Sequence, residues 1–135
     1  MEAKDMKPAI ILFCSLLILS GSALAGEMEQ SQGAQRFACM NLEWQSGPGR
    51  TVNVRLMKDS QPLSQFTLSP KDPYRHFAIS SENTVAEGRM RLRFNEAKGK
   101  GILQLDALSY RCSSPRAANF SGVLEEFTLL PATIP

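Results

Sequence analysis

The sequence predicts an all-β protein: a small antiparallel sandwich or barrel of six to seven strands, closed by one disulfide. Three observations predict this. From Arg36 onward, short segments alternate apolar and polar residues. Clusters of Gly, Pro, Asn and Asp separate those segments, as turns separate antiparallel strands. Finally, two cysteines, Cys39 and Cys112, stand near the start and the end of the alternating region.

The N-terminal residues come first. Lys4 and Lys7 precede an apolar run from Pro8 to Leu19, and Ala23-Leu24-Ala25 has the small-x-small form that a signal peptidase accepts. Residues 1–25 are therefore expected to be a cleavable signal peptide, and the protein to be exported to the periplasm or the extracellular space. The apolar run falls short of the roughly 20 residues that a membrane-spanning helix needs. After cleavage the chain is not expected to span a membrane. Cys14 sits inside the apolar run behind Phe13, so it lacks the setting of a lipid-modified cysteine. Residues 26–35 are polar and aperiodic and read as a flexible leader. Residues 36–135 then form a single β domain, of a size that buries a modest core.

The strands follow in order. Arg36 to Trp44 reads as the first, ended by the turn residues Ser46-Gly47-Pro48-Gly49. Arg50 to Lys58 is the second, with Val52, Val54 and Leu56 alternating with Asn53, Arg55 and Met57. A turn at Asp59 to Pro62 leads to Leu63–Ser69; pairing Leu56 with Phe66 and Val54 with Leu68 sets apolar against apolar. Tyr74 to Ser80 is next, followed by a polar stretch from Ser81 to Gly88. Arg89 to Glu96 alternates again, with Met90, Leu92 and Phe94 on one face and Arg89, Arg91 and Arg93 on the other. Its partner runs from Gly101 to Cys112, with Phe94 expected opposite Leu103 and Arg91 beside Asp106. Asn119 to Leu130 fits either period, but Gly122, Thr128 and the surrounding strands favour a strand.

The whole chain holds three cysteines. Without Cys14, Cys39 and Cys112 remain as an even pair in an oxidising compartment, which predicts a disulfide. Closing a loop of about 70 residues stabilises a fold by ~4 kcal/mol in the chain-entropy treatment. No Cys-x-x-Cys or histidine spacing points to a metal or redox role, so no metal is expected.

Charge and motifs narrow the function. Lys and Arg total 15 against 13 Asp and Glu, a formal net charge of +2, and residues 1–25 carry two of each sign. This balance lacks the basic excess of a nucleic-acid binder. No phosphate loop, nucleophile elbow or calcium loop is present, so no cofactor is expected. His76 is the one histidine; a hydrolytic role requires a nucleophile and an orienting carboxylate around it, with Asp72, Ser80 and Ser81 the candidates nearest in sequence. Glu125 and Glu126 point to opposite faces of a strand and do not form a glycosidase pair. Asn119-Phe120-Ser121 is a glycosylation sequon.

The arginines carry the binding expectation. Beyond residue 25 they outnumber lysines nine to four, and a regular strand projects Arg89, Arg91 and Arg93 from one face. Guanidinium groups bind carboxylate and phosphate in bidentate fashion. Arg50 and Arg55 are expected to extend the patch from another strand, and Trp44 to serve as an aromatic contact beside the Gly47-Pro48-Gly49 loop. A solvated face with cross-strand salt bridges is the plainer alternative. The expected function is an exported, non-enzymatic binding protein of the protein-binding or inhibitor type, acting on another exported or envelope protein. The alternatives are a module for an anionic glycan or lipid headgroup, and a small hydrolase centred on His76.

Overall fold

Side chains alternating with a period of two between core and solvent mark the strands, of which the described residues hold nine. The computed structural model describes residues 26–131; the expected signal peptide lies outside them. The strands are β1 (Glu27–Met28), β2 (Gln32–Phe37), β3 (Met40–Gly47), β4 (Thr51–Lys58), β5 (Gln61–Leu68), β6 (Tyr74–Ser81), β7 (Thr84–Asn95), β8 (Lys100–Cys112) and β9 (Ala118–Leu130). One 3-10 turn, Glu96–Lys98, separates β7 from β8. All neighbouring strands pair antiparallel, in a five-stranded sheet ordered β1-β9-β8-β7-β6 and a four-stranded sheet ordered β2-β3-β4-β5. Their inner faces pack together as a sandwich. Val52, Val54 and Leu68 of one sheet and Met90, Leu103, Leu105 and Phe127 of the other are all fully buried. Among the described residues, no helix is long and apolar enough to cross a membrane.

Cys39 and Cys112 form the expected disulfide. It ties the turn after β2 to the end of β8, and therefore one sheet to the other. A disulfide and the lack of a membrane-spanning helix among the described residues are both compatible with an exported protein.

Several local expectations are corrected. Residues 26–35 do not form a flexible leader, because they supply β1 and most of β2. Met28 is buried in the core, and Gly33 on β2 leaves room for the Trp44 indole, which a Cβ there would meet at 2.6 Å. The chain crosses from one sheet to the other between these strands. Ser46 holds the crossing, its Oγ accepting from Ser31 N at 2.7 Å and donating to Glu29 O at 2.9 Å.

Arg36 to Trp44 is not one strand. Ala38 and Cys39 form a tight turn between β2 and β3, with Ala38 in the left-handed region at φ 53°. Nothing in that dipeptide signals a turn. Burial of Phe37 and Met40 on either side, together with the crosslink at Cys39, offsets the cost of its backbone.

Both expected registers slip by two residues. Val54 faces Phe66 and Val52 faces Leu68: Asp59 and Ser60, both at positive φ, make a two-residue hairpin turn that pairs Lys58 with Gln61, and a bulge that leaves Leu63 unpaired shifts the register by one more residue. Likewise Leu92 faces Leu103 and Phe94 faces Gly101. There Asn95 pairs with Lys100, and Gly99 ends the 3-10 turn at φ 65°. The polar stretch from Ser81 to Gly88 holds no helix; β7 begins at Thr84 and buries Thr84 and Ala86. Residues 118–130 form a strand, β9.

Two stability outcomes follow from this packing. Replacing both Cys39 and Cys112 by serine should lower the unfolding free energy in urea by about 3–4 kcal/mol. Gly33→Ala, which drives a methyl group into the indole of Trp44, should cost about 1–3 kcal/mol in the same assay.

Candidate functional site: the outer face of the five-stranded sheet

Strand β7 lies between β6 and β8, so its inward side chains must be apolar and its outward ones face water. Met90 and Leu92 are 0% and 2% exposed. Val85, Glu87, Arg89, Arg91 and Arg93 consequently line the outer face. The neighbouring strands add Tyr74 and His76, which sit opposite Arg91 and Arg89 on β6, and Gln104 and Asp106 on β8.

Most of the row is tethered. Arg91 Nη2 lies 2.9 Å from Asp106 Oδ2, and its Nε donates to the same oxygen at 3.0 Å. Arg93 Nε donates to Gln104 Oε1 at 3.1 Å, and Gln104 Nε2 donates to Asp106 Oδ1 at 2.9 Å. The expected Arg91–Asp106 contact is therefore present, as a diagonal rather than a directly opposed pair. Arg91 also stands over the Tyr74 ring, 5.8 Å from its centroid. Among the described residues Arg91 alone of the three has an ion-pair partner; Arg93 bonds only the neutral Gln104, and Arg89 makes no side-chain hydrogen bond or ion pair.

A β-bulge shapes the surface beside Arg89. Arg89 pairs with Ala107 but Met90 pairs with Leu105, which leaves Asp106 as the extra residue. The β8–β9 register jumps at the same place, between Leu105 and Leu108. A bulge bends its strand and re-aims side chains. Here it accompanies an open depression of about 650 Å³ lined by His76, Glu87, Arg89, Asp106, Asn119 and Ser121, among others. His76 Nε2 lies 2.9 Å from Glu87 Oε2. It is partnered by Glu87 rather than by Asp72, Ser80 or Ser81; Asp72 instead bonds Arg75 at 3.3 Å.

The other sequence-derived candidates lie elsewhere. Arg55 projects from β4 on the outer face of the four-stranded sheet, the opposite side of the sandwich, where its Nη2 meets Glu43 Oε1 at 2.9 Å. Arg50 occupies the β3–β4 turn at φ 60°, stacks on Phe94 at 5.6 Å and pairs with Glu96. Neither extends the arginine row, because β4 and the β3–β4 turn belong to the four-stranded sheet while the row lies on the five-stranded one. Trp44 is not an outward contact either. It is 6% exposed, shares the inward face of β3 with Met40 and Leu42, and donates its Nε1–H to Glu125 Oε1 at 2.5 Å. Glu125 points inward and Glu126 outward; Ser31 Oγ also donates to Glu125.

One feature of this face was not read from sequence. Four large apolar side chains are strongly exposed among the described residues: Tyr74, Val85, Val123 and Leu130. All four lie on the outer face of the five-stranded sheet. Val123 reaches it because the bulge between Leu103 and Gln104 sets it opposite outward-facing Gln104, against the simple alternation that puts it in line with Phe127 and Leu129. No known protein family, curated protein or solved structure matches the chain.

The Trp44–Glu125 bond gives a direct test of the inter-sheet contact. Trp44→Phe leaves a part-buried carboxylate short of a donor and should destabilise by about 1–3 kcal/mol. Adding Glu125→Leu should recover part of that loss in the same urea titration, since removing both polar partners costs less than orphaning one.

Proposed function

We propose that the protein is exported and acts without catalysis, binding another exported or envelope protein through the outer face of its five-stranded sheet, as an inhibitor or accessory subunit. The observation that carries this reading is that every strongly exposed large apolar side chain of the described residues lies on the face that also bears Arg89, Arg91 and Arg93. Tyrosine and arginine dominate the energetics of protein interfaces, in company with apolar side chains that exclude water. The size also fits. Four long strands about 4.8 Å apart, rising about 3.3 Å per residue, present roughly 700 Å², against ~800 Å² per partner in a standard interface.

The tethering of Arg91 and Arg93 favours a protein over a bare phosphate-rich ligand. Their charge is partly satisfied by Asp106 and Gln104, and their guanidinium planes are held in place, which lowers the entropy lost on binding. A second reading, an anionic glycan or lipid headgroup, draws on the unpaired Arg89 beside the depression. A salt gradient separates the two. The disulfide-bonded protein, immobilised and exposed to the producer's envelope and medium, should retain one stoichiometric protein. Arg89→Glu with Arg91→Glu should weaken that retention at least about tenfold. Retention unchanged in the double variant would overturn the assignment of the face, and release of only glycan or lipid at modest salt would replace the partner. His76→Ala should leave partner binding within about twofold of wild type.

A further inference from the structure

The opposite outer face, on the four-stranded sheet, has a different chemistry. The register sets Gln32 beside Gln45, Gln45 beside Asn53, and Asn53 beside Thr67, one polar row across all four strands. The adjacent row is Ala34, Glu43, Arg55 and Gln65. Both rows border an open depression of about 630 Å³. The only charges in it, Glu43 and Arg55, neutralise each other at 2.9 Å. None of the four strongly exposed large apolar side chains lies on this face.

We propose that this face is a second binding site, for an extended, neutral, hydroxyl-rich polysaccharide. A primary amide offers two donors and an acceptor in one plane, and a sugar hydroxyl likewise donates and accepts. Among the described residues, the side chains of Gln32, Gln45 and Gln65 make no hydrogen bond, and Asn53 uses only its Oδ1, accepting from Thr67 Oγ1 at 2.5 Å. The face therefore presents unsatisfied donors and acceptors at the inter-strand spacing of about 4.8 Å, which suits a ligand with repeating polar groups. A protein partner would find no apolar anchor here. A charged polymer would find no net charge to attract it. The small outward residue Ala34 on edge strand β2 keeps one end of the depression low, so a chain can run out across the edge.

Affinity electrophoresis of the disulfide-bonded protein tests this with three soluble probes: hydroxyethyl cellulose and glycol chitin as neutral polymers, and polygalacturonate as an anionic one. Retardation is expected with a neutral polymer and not with polygalacturonate. Gln45→Ala with Asn53→Ala should weaken it roughly tenfold, the equivalent of one or two neutral hydrogen bonds, while Arg89→Glu with Arg91→Glu leaves it unchanged. Both substituted amides are exposed, and an unaltered thermal midpoint will show that the variant folds. Absence of retardation by either neutral polymer, retardation by polygalacturonate alone, or equal retardation of the Gln45/Asn53 variant would overturn the proposal.

Discussion

Burial of the even-numbered side chains of β7 is the constraint on which the outer surface depends. Thr84, Ala86, Met90 and Leu92 are all at most 2% exposed, in a strand flanked on both sides. With a period of two, their burial leaves no other place for Arg89, Arg91 and Arg93 than the outer face. A slip of one residue would turn three guanidinium groups into the core, where unpaired charge costs several kcal/mol each. The arginine row is thus a consequence of core packing as much as a device for binding. What makes it a candidate contact surface is the company it keeps: Tyr74, Val85, Val123 and Leu130 gain nothing for the fold by their exposure, whereas the charged residues do, by keeping the sheet soluble.

Closure of the sandwich rests on a few connections between its sheets. The disulfide joins the β2–β3 turn to the end of β8. The N-terminal segment contributes to both sheets, β1 beside β9 and β2 beside β3. Trp44 and Ser31 reach from the four-stranded side to Glu125 on β9. That carboxylate has a further consequence. Strand β1 covers only Leu129 and Leu130 of β9, so most of that edge is open. An inward-pointing charge, a bulge and the distorted backbone at Gly122, with φ 158°, all discourage another strand from pairing there. This edge of the five-stranded sheet is therefore protected against strand addition.

Much of this was legible in the sequence. Alternation placed β4, the Arg89–Asn95 half of β7 and β8 as far as Leu105 with the correct inward residues; beyond Leu105 the bulge at Asp106 turns Ala107 outward and Leu108 inward. Ser46-Gly47-Pro48-Gly49 marked a real reversal, and Cys39 and Cys112 pair. The arginine row followed from alternation alone. The registers were not legible, because a slip of two residues preserves the inside–outside assignments; turn geometry at Asp59-Ser60 and at Glu96 to Gly99, and the bulge at Leu63, decide between them. Strands β1 and β2 were hidden because an edge strand held by backbone pairing needs little apolar periodicity. The hairpin at Ala38-Cys39 has no turn residue to announce it. Trp44 and Arg55 were placed on the right strands, but which sheet and which side each faces depends on strand order, which is a tertiary property.

Site-specific photo-crosslinking in the producing cells would test the central claim, that the five-stranded face is the protein-binding surface. A photoreactive residue at Val123, exposed on that face, should yield a single discrete crosslinked protein. The same residue at Gln45, on the opposite face, should yield none. A discrete protein adduct from Gln45 with none from Val123 would contradict the account and move the protein partner to the other side of the sandwich.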